Sequence, residues 1–152
     1  MDGDGALLPT GARGEIVVRS SLVTPGYYKN PGATRESSAH GWHHTGDIGF
    51  LDGDGYLFIV DRAKDMIISG GENIYCAEVE NVLAAHPAII EVAIIGRAHD
   101  KWGEVPVAVA AISVEALGID DLSAFLNERL ARYKHPKVLE IVESLPRNPA
   151  GK

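Results

Sequence analysis

A lysine closes the segment Leu145-Pro146-Arg147-Asn148-Pro149-Ala150-Gly151-Lys152. A Pro- and Gly-rich stretch with one cationic tip stabilises little, but it can carry a mobile positive charge to a phosphate or a carboxylate. The plainer alternative is a solvated lysine on a frayed tail. Three further stretches gather polar residues and glycines: Gly41-Trp42-His43-His44-Thr45-Gly46-Asp47, Asp61-Arg62-Ala63-Lys64-Asp65 and Ser69-Gly70-Gly71-Glu72-Asn73-Ile74. An ionised Asp47 could accept two hydrogen bonds at once, or simply cap a turn. Arg62 could meet an anion, or pair with a neighbouring aspartate at the surface. Gly70-Gly71 would let backbone approach a ligand closely, or make a turn ahead of a helix.

Other groupings fail on their chemistry. His43-His44 with Asp47 has no third histidine suitably placed in sequence, so no metal site is expected. Asp52-Gly53-Asp54-Gly55 begins like a calcium loop, but Tyr56 and Leu57 stand at the later ligand and glycine positions. Cys76 precedes a helix, where a thiol pKa can fall, yet no base accompanies it and a structural role is expected.

The elements that must position these residues follow from pattern. Glu15-Ile16-Val17-Val18-Arg19-Ser20 reads as a strand, and Pro25-Gly26 and Asn30-Pro31-Gly32 punctuate a loop. Residues 48–51 and 56–60 flank Asp52-Gly53-Asp54-Gly55 as a hairpin. Residues 66–68 form a short strand and 77–85 a helix whose Val79, Val82 and Leu83 share a face, with Pro87 beyond it. Strands follow at 89–95 and 105–114. Asp120-Asp121 opens a second helix, with Leu122, Phe125, Leu126, Leu130 and Tyr133 at helical spacing, before a last strand at 138–142. The fold class is therefore α+β: a small C-terminal domain with helices on one face of a short mixed sheet, preceded by a β-rich segment.

Composition narrows the function. The chain has 152 residues, 45% of them hydrophobic, so it is long enough for a core and is not disordered. A net charge of -7 argues against nucleic acid and anionic membrane surfaces. No apolar run approaches the ~18 residues of a transmembrane helix. An acidic, Gly-rich start and one cysteine suggest no signal peptide, no internal disulfide and a cytoplasmic protein.

In their order and spacing, the four stretches resemble the adenylate-forming (AMP-binding) superfamily, most of all its fatty-acyl and aryl acyl-CoA synthetases. Gly26-Tyr27-Tyr28 followed by Thr34 fits as well. The resemblance covers nearly the whole chain. It implies a carboxylate attacking the α-phosphate of ATP, supplied as Mg-ATP, and then transfer of the acyl group to coenzyme A. It further implies that Asp47 takes the ribose hydroxyls, that Arg62 meets ribose or phosphate, and that His44 is scaffold. Lys64 falls at a hinge. Gly70, Gly71 and Glu72 form the loop that meets the pantetheine chain, Trp102 lies near coenzyme A, and Lys137 near its nucleotide. Within Tyr133-Lys134-His135-Pro136-Lys137, His135 stands where some relatives have arginine. Lys152 is the catalytic lysine, neutralising charge as the mixed anhydride forms.

The family's phosphate loop, adenine pocket, acyl pocket and main magnesium ligands have no counterpart in these residues. The chain thus looks like the last piece of a larger ligase. Residues 1–63 would be the end of the large domain and 64–152 the mobile C-terminal domain, with the piece inactive alone and partnered by the missing N-terminal part. A peptide-synthetase adenylation domain and a non-catalytic module that kept the fold are the alternatives. The first ~60 residues are expected to be partly disordered alone, or to pack on another copy.

Overall fold

The computed structural model describes residues 1–147. The chain divides into two compact units, one of Met1–Lys64 and one beginning at Asp65.

In the first unit, strands β1 (Gly14–Val18), β2 (His43–Leu51) and β3 (Leu57–Arg62) form an antiparallel sheet in that order. The β2–β3 turn is made by Asp52, whose Oδ1 accepts the amides of Asp54 and Tyr56, while Gly55 takes φ +86°. Cross-strand partners Phe50 and Phe58 stack at 5.1 Å, which pins the register. The stretch read as a loop contains a helix, α1 (Pro31–Ser37). Asn30 caps it through a side-chain bond to the Ala33 amide, and Pro31 occupies the first turn. Asn-Pro here starts a helix instead of turning a loop.

The second unit opens with β4 (Ile67–Ser69) and β5 (Glu72–Ile74), a hairpin closed by Gly70 and Gly71. Their φ angles, +60° and +87°, suit the two-residue turn that matches strand twist. Sequence pattern anticipated β4 but not β5, because three residues after paired glycines carry too short a period to register. Helix α2 (Cys76–Leu83) follows, then β6 (Ile89–His99), β7 (Gly103–Ile112), α3 (Ile119–Leu126) and β8 (Val138–Ile141). The sheet order is β5-β4-β7-β6, and β8 lies parallel to β7, which makes the sheet mixed.

One apolar cluster closes this unit. Val79 and Leu83 of α2, Leu122 and Leu126 of α3, Ile94 and Ala108 of the sheet, and Ile67 and Ile74 of the hairpin are all buried in it. Ile94 and Ala108 are cross-strand partners, so both helices cover the same sheet face. The fold is α+β, with helices on one face.

The second helix is shorter than its apolar spacing suggests. Leu130 and Tyr133 lie outside α3, although Leu130 still packs on the core. The amides of Arg129 and Leu130 both bond to the Leu126 carbonyl, and the Arg129 guanidinium donates to Phe125 O at 2.6 Å. The last carbonyls are satisfied there, and the chain leaves through extended backbone at Ala131.

Candidate functional site

The Thr45-Gly46-Asp47 segment leaves the regular ladder. β1 and β2 pair at Glu15↔Ile48 and at Val17↔His44, so Ile16 faces Thr45, Gly46 and Asp47. This is a bulge on β2, a device that re-aims a side chain where pairing is interrupted. Gly46 takes φ +77° within it. Glu15 spans the bulge: its Oε1 accepts the Gly46 amide at 3.1 Å and its Oε2 meets His44 Nδ1 at 2.7 Å. The other His44 ring nitrogen faces Ala39 O at 3.1 Å. Thr45 Oγ1 donates to Ile16 O and accepts the Asp47 amide.

On the other edge of β2, Asp47 is the ladder partner of Arg62 on β3. Arg62 Nε stands 3.8 Å from Asp47 Oδ1, with side-chain exposures of 61% and 35%. That distance allows Coulombic attraction but exceeds a hydrogen bond. The pair presents a carboxylate and a guanidinium side by side, a polarity suited to hydroxyls beside a phosphate.

Glu15 raises the pKa of His44 above its ordinary 6.5, burial opposes this, and the Ala39 carbonyl adds to the rise. A ring with an acceptor at each nitrogen is best satisfied as imidazolium.

In the second unit, the β4–β5 turn packs on Trp102. The Gly70 amide donates to Trp102 O at 2.8 Å, and a Cβ on Gly70 would come within 2.7 Å of the indole Cε3. Gly71 has open space around that position, and Glu72 is exposed. Trp102 remains 45% exposed, with the Lys101 ammonium 4.7 Å from its ring centroid. Gly70 and Trp102 are thus together, with Gly71 and Glu72 on the same hairpin.

Lys137 lies on a separate concavity of about 410 Å³, shared with Ser123, Asn127, Arg132 and His135. None of Gly70, Gly71, Glu72 or Trp102 lines it. Two members of the basic run turn inward. Lys134 Nζ bonds both Glu78 carboxylate oxygens at 2.7 Å, and His135 is buried with Nε2 at 3.1 Å from Leu130 O. Arg132 takes the place in this concavity that sequence spacing had not marked, because a 3-10 turn at Arg132–Lys134 brings it level with Lys137.

Lys64 lies in the 3-10 turn Ala63–Asp65. Cys76 is buried, and its thiol donates to Asp65 O at 2.9 Å. Lys152 falls outside the described residues. The described segment before it is held by Glu91 of β6, which accepts the Leu145 amide at 3.3 Å and pairs with the Arg147 guanidinium. Arg147, and next the Leu145 amide, hold the Glu91 carboxyl below its ordinary pKa. Glu15 and Glu91 were both missed as site residues. Each is a single charge within an apolar strand pattern, which is the only signal the sequence carries for them.

Residues 78–152 match the AMP-binding enzyme C-terminal domain. The chain is 48% identical over 149 residues to a 2-succinylbenzoate–CoA ligase of Bacillus cereus (strain Q1), covering 98% of this chain and 31% of that enzyme. Among solved structures it resembles o-succinylbenzoate CoA synthetase (MenE) from Bacillus subtilis in complex with the acyl-adenylate intermediate OSB-AMP. There the identity is 41% and the TM-score 0.87, covering 99% of this chain and 31% of that one. The same enzyme is also solved with ATP and a magnesium ion. A Mycobacterium tuberculosis fatty acyl CoA synthetase is 46% identical with a TM-score of 0.66, covering 92% of this chain and 28% of that one. This chain spans 31% of the length of the curated relatives it matches. Among the described residues, no helix is long and apolar enough to cross a membrane.

Proposed function

We propose that the chain supplies the C-terminal part of an AMP-forming acid–thiol ligase, a reading that the match of residues 78–152 to the AMP-binding enzyme C-terminal domain supports. The ligase activates a carboxylic acid with ATP to an acyl adenylate and pyrophosphate, then passes the acyl group to coenzyme A. The observation that carries this is the Asp47–Arg62 pair, two opposite charges held 3.8 Å apart on adjacent strands and open to a ligand. Asp47 accepts the ribose hydroxyls, and Arg62 offsets charge on ribose or phosphate. Lys152 brings its ammonium to the carboxylate and α-phosphate, where it acts by position and charge without moving a proton.

The turn at Gly70 and Gly71, with Glu72, borders the path of the pantetheine thiol, and Trp102 shapes that edge. Lys137 receives the nucleotide end of coenzyme A. Residues 1–63 belong to the large domain and 64–152 to a mobile domain, with Lys64 as the hinge that absorbs the rotation between the two half-reactions. Magnesium arrives with ATP; among the described residues no group of three or more His, Cys, Asp or Glu converges to hold it. The acid is fatty or aromatic, and 2-succinylbenzoate is the first to try because relatives are named for it. A cytoplasmic setting supplies both ATP and coenzyme A.

The test is a chimera in which this chain replaces the matching C-terminal third of a 2-succinylbenzoate–CoA ligase. ATP–pyrophosphate exchange and thioester formation are measured separately. A working chimera should lose about 100-fold or more of its exchange in Lys152→Ala. Asp47→Ala should raise the KM for ATP more than it lowers kcat. A folded chimera with neither activity would sink the proposal.

A further inference from the structure

We propose that Glu15 is a positioning residue for Asp47: its two carboxylate oxygens tie the Gly46 amide to the His44 ring and so hold the bulge that aims the Asp47 carboxylate. The inference rests on the ribose role given to Asp47 above.

A bulge leaves backbone groups without ladder partners, and these need others. Here Glu15 Oε1 takes the Gly46 amide and Thr45 Oγ1 takes the Asp47 amide. Thr45 is itself tied to Ile16 O, the residue next to Glu15. The Asp47 backbone is therefore fixed from β1 through two adjacent residues, and its side chain is left beside Arg62. A glutamine at position 15 could still accept the Gly46 amide but would remove the negative charge facing His44. The charged and titratable groups around His44 are Glu15 on β1, the Met1 ammonium, and His40 on the 3-10 turn Ala39–Gly41, whose ring centroid lies 6.2 Å away. Glu15 alone among these contacts both the ring and the bulge.

The test is NMR of the whole chain from about pH 5 to about pH 9, a range that spans histidine ionisation. In the wild type, the Gly46 amide and the Asp47 carboxyl carbon should shift with the midpoint of the His44 ring. In Glu15→Gln that shared step should vanish, and in the chimera described above the KM for ATP near pH 6 should rise about tenfold. Glu140→Gln, which removes an exposed partner of Arg97 in the other unit, should change neither. If Glu15→Gln disrupts β1–β2 pairing, His44→Gln keeps Glu15 and removes only the titrating ring, and it should abolish the step at Asp47. Asp47 signals indifferent to His44 ionisation, or unmoved by these substitutions, would overturn the proposal. A chimera whose KM for ATP is unchanged by Asp47→Ala would instead remove the ribose role of Asp47, leaving the coupling to be judged by the titration.

Discussion

Three ion pairs behave differently because their surroundings differ. For His44, the folded pKa is raised, so the stabilisation is complete below the ordinary 6.5 and fades as pH rises through the folded value. Melting temperatures of wild type and His44→Gln should therefore differ most near pH 6 and converge at alkaline pH; a constant gap would exclude the Glu15 link as its source. Glu91 has the opposite sign. Its pKa is lowered, so its contribution is present above the ordinary 4.5 and lost as pH falls through the folded value. In Arg147→Ala, the Glu91 titration followed by NMR should move up towards 4.5, because its first cause is gone. Lys134 and Glu78 are about as enclosed as His44 and Glu15, with exposures of 13% and 27% against 16% and 26%. Replacing Lys134 with Ala leaves a half-buried carboxylate without that partner, at a cost of about 1–2 kcal/mol by denaturant unfolding. Tyr133-Lys134-His135-Pro136-Lys137 reads in sequence as an aromatic followed by basic residues, and nothing in one-dimensional spacing tells inward from outward positions. The 3-10 turn at Arg132–Lys134, which follows the end of α3 at Leu126, separates them.

Among the elements, the β4–β5 hairpin shows most clearly what a sequence carries and what it withholds. Gly70-Gly71 announced a backbone special to glycine, and both residues have positive φ. The neighbour that constrains them, Trp102, is 32 positions away from Gly70 by sequence number (102 − 70) and becomes visible only through the register Ser69↔Gly103. The two glycines should therefore respond unequally. Gly71→Ala meets only the cost of a left-handed backbone, about 1–2 kcal/mol. Gly70→Ala meets that cost and also a Cβ pressed against the indole. Unfolding of Gly70→Ala, Trp102→Ala and the double variant should show a coupling of about 1 kcal/mol or more, with Trp102→Ala relieving part of the Gly70→Ala penalty. Additive costs would mean that the ring moves aside freely. The same limit explains α1 and the short α3: caps and C-terminal hydrogen bonds set helix length, whereas apolar period alone overran α3 by several residues.

At the scale of the molecule, the order of strands and helices after residue 65, β5 apart, was legible because the longer elements each carry a buried face with a clear period. The first unit was less so. Its apolar side chains do not close a core of comparable depth; Leu22 is 94% exposed and Ile59 68%, and its buried residues are few, Met1 and Ile48 among them. In the second unit, the buried members of the apolar cluster run from Ile67 to Leu126, with Leu130 and Leu139 packed against them. A polypeptide beginning at Asp65 should therefore fold alone and melt in one cooperative transition followed by circular dichroism and fluorescence. Leu126→Ala in that polypeptide removes a side chain with no exposed area from the contact between α3 and the sheet. The loss should be about 2–5 kcal/mol. For a unit of this size, that lowers Tm by roughly 10 °C or more. Leu130→Ala, at a partly buried position outside α3, should cost less than half as much. A broad, non-cooperative melt of the Asp65 polypeptide, or equal costs at Leu126 and Leu130, would show that the core does not close within this unit.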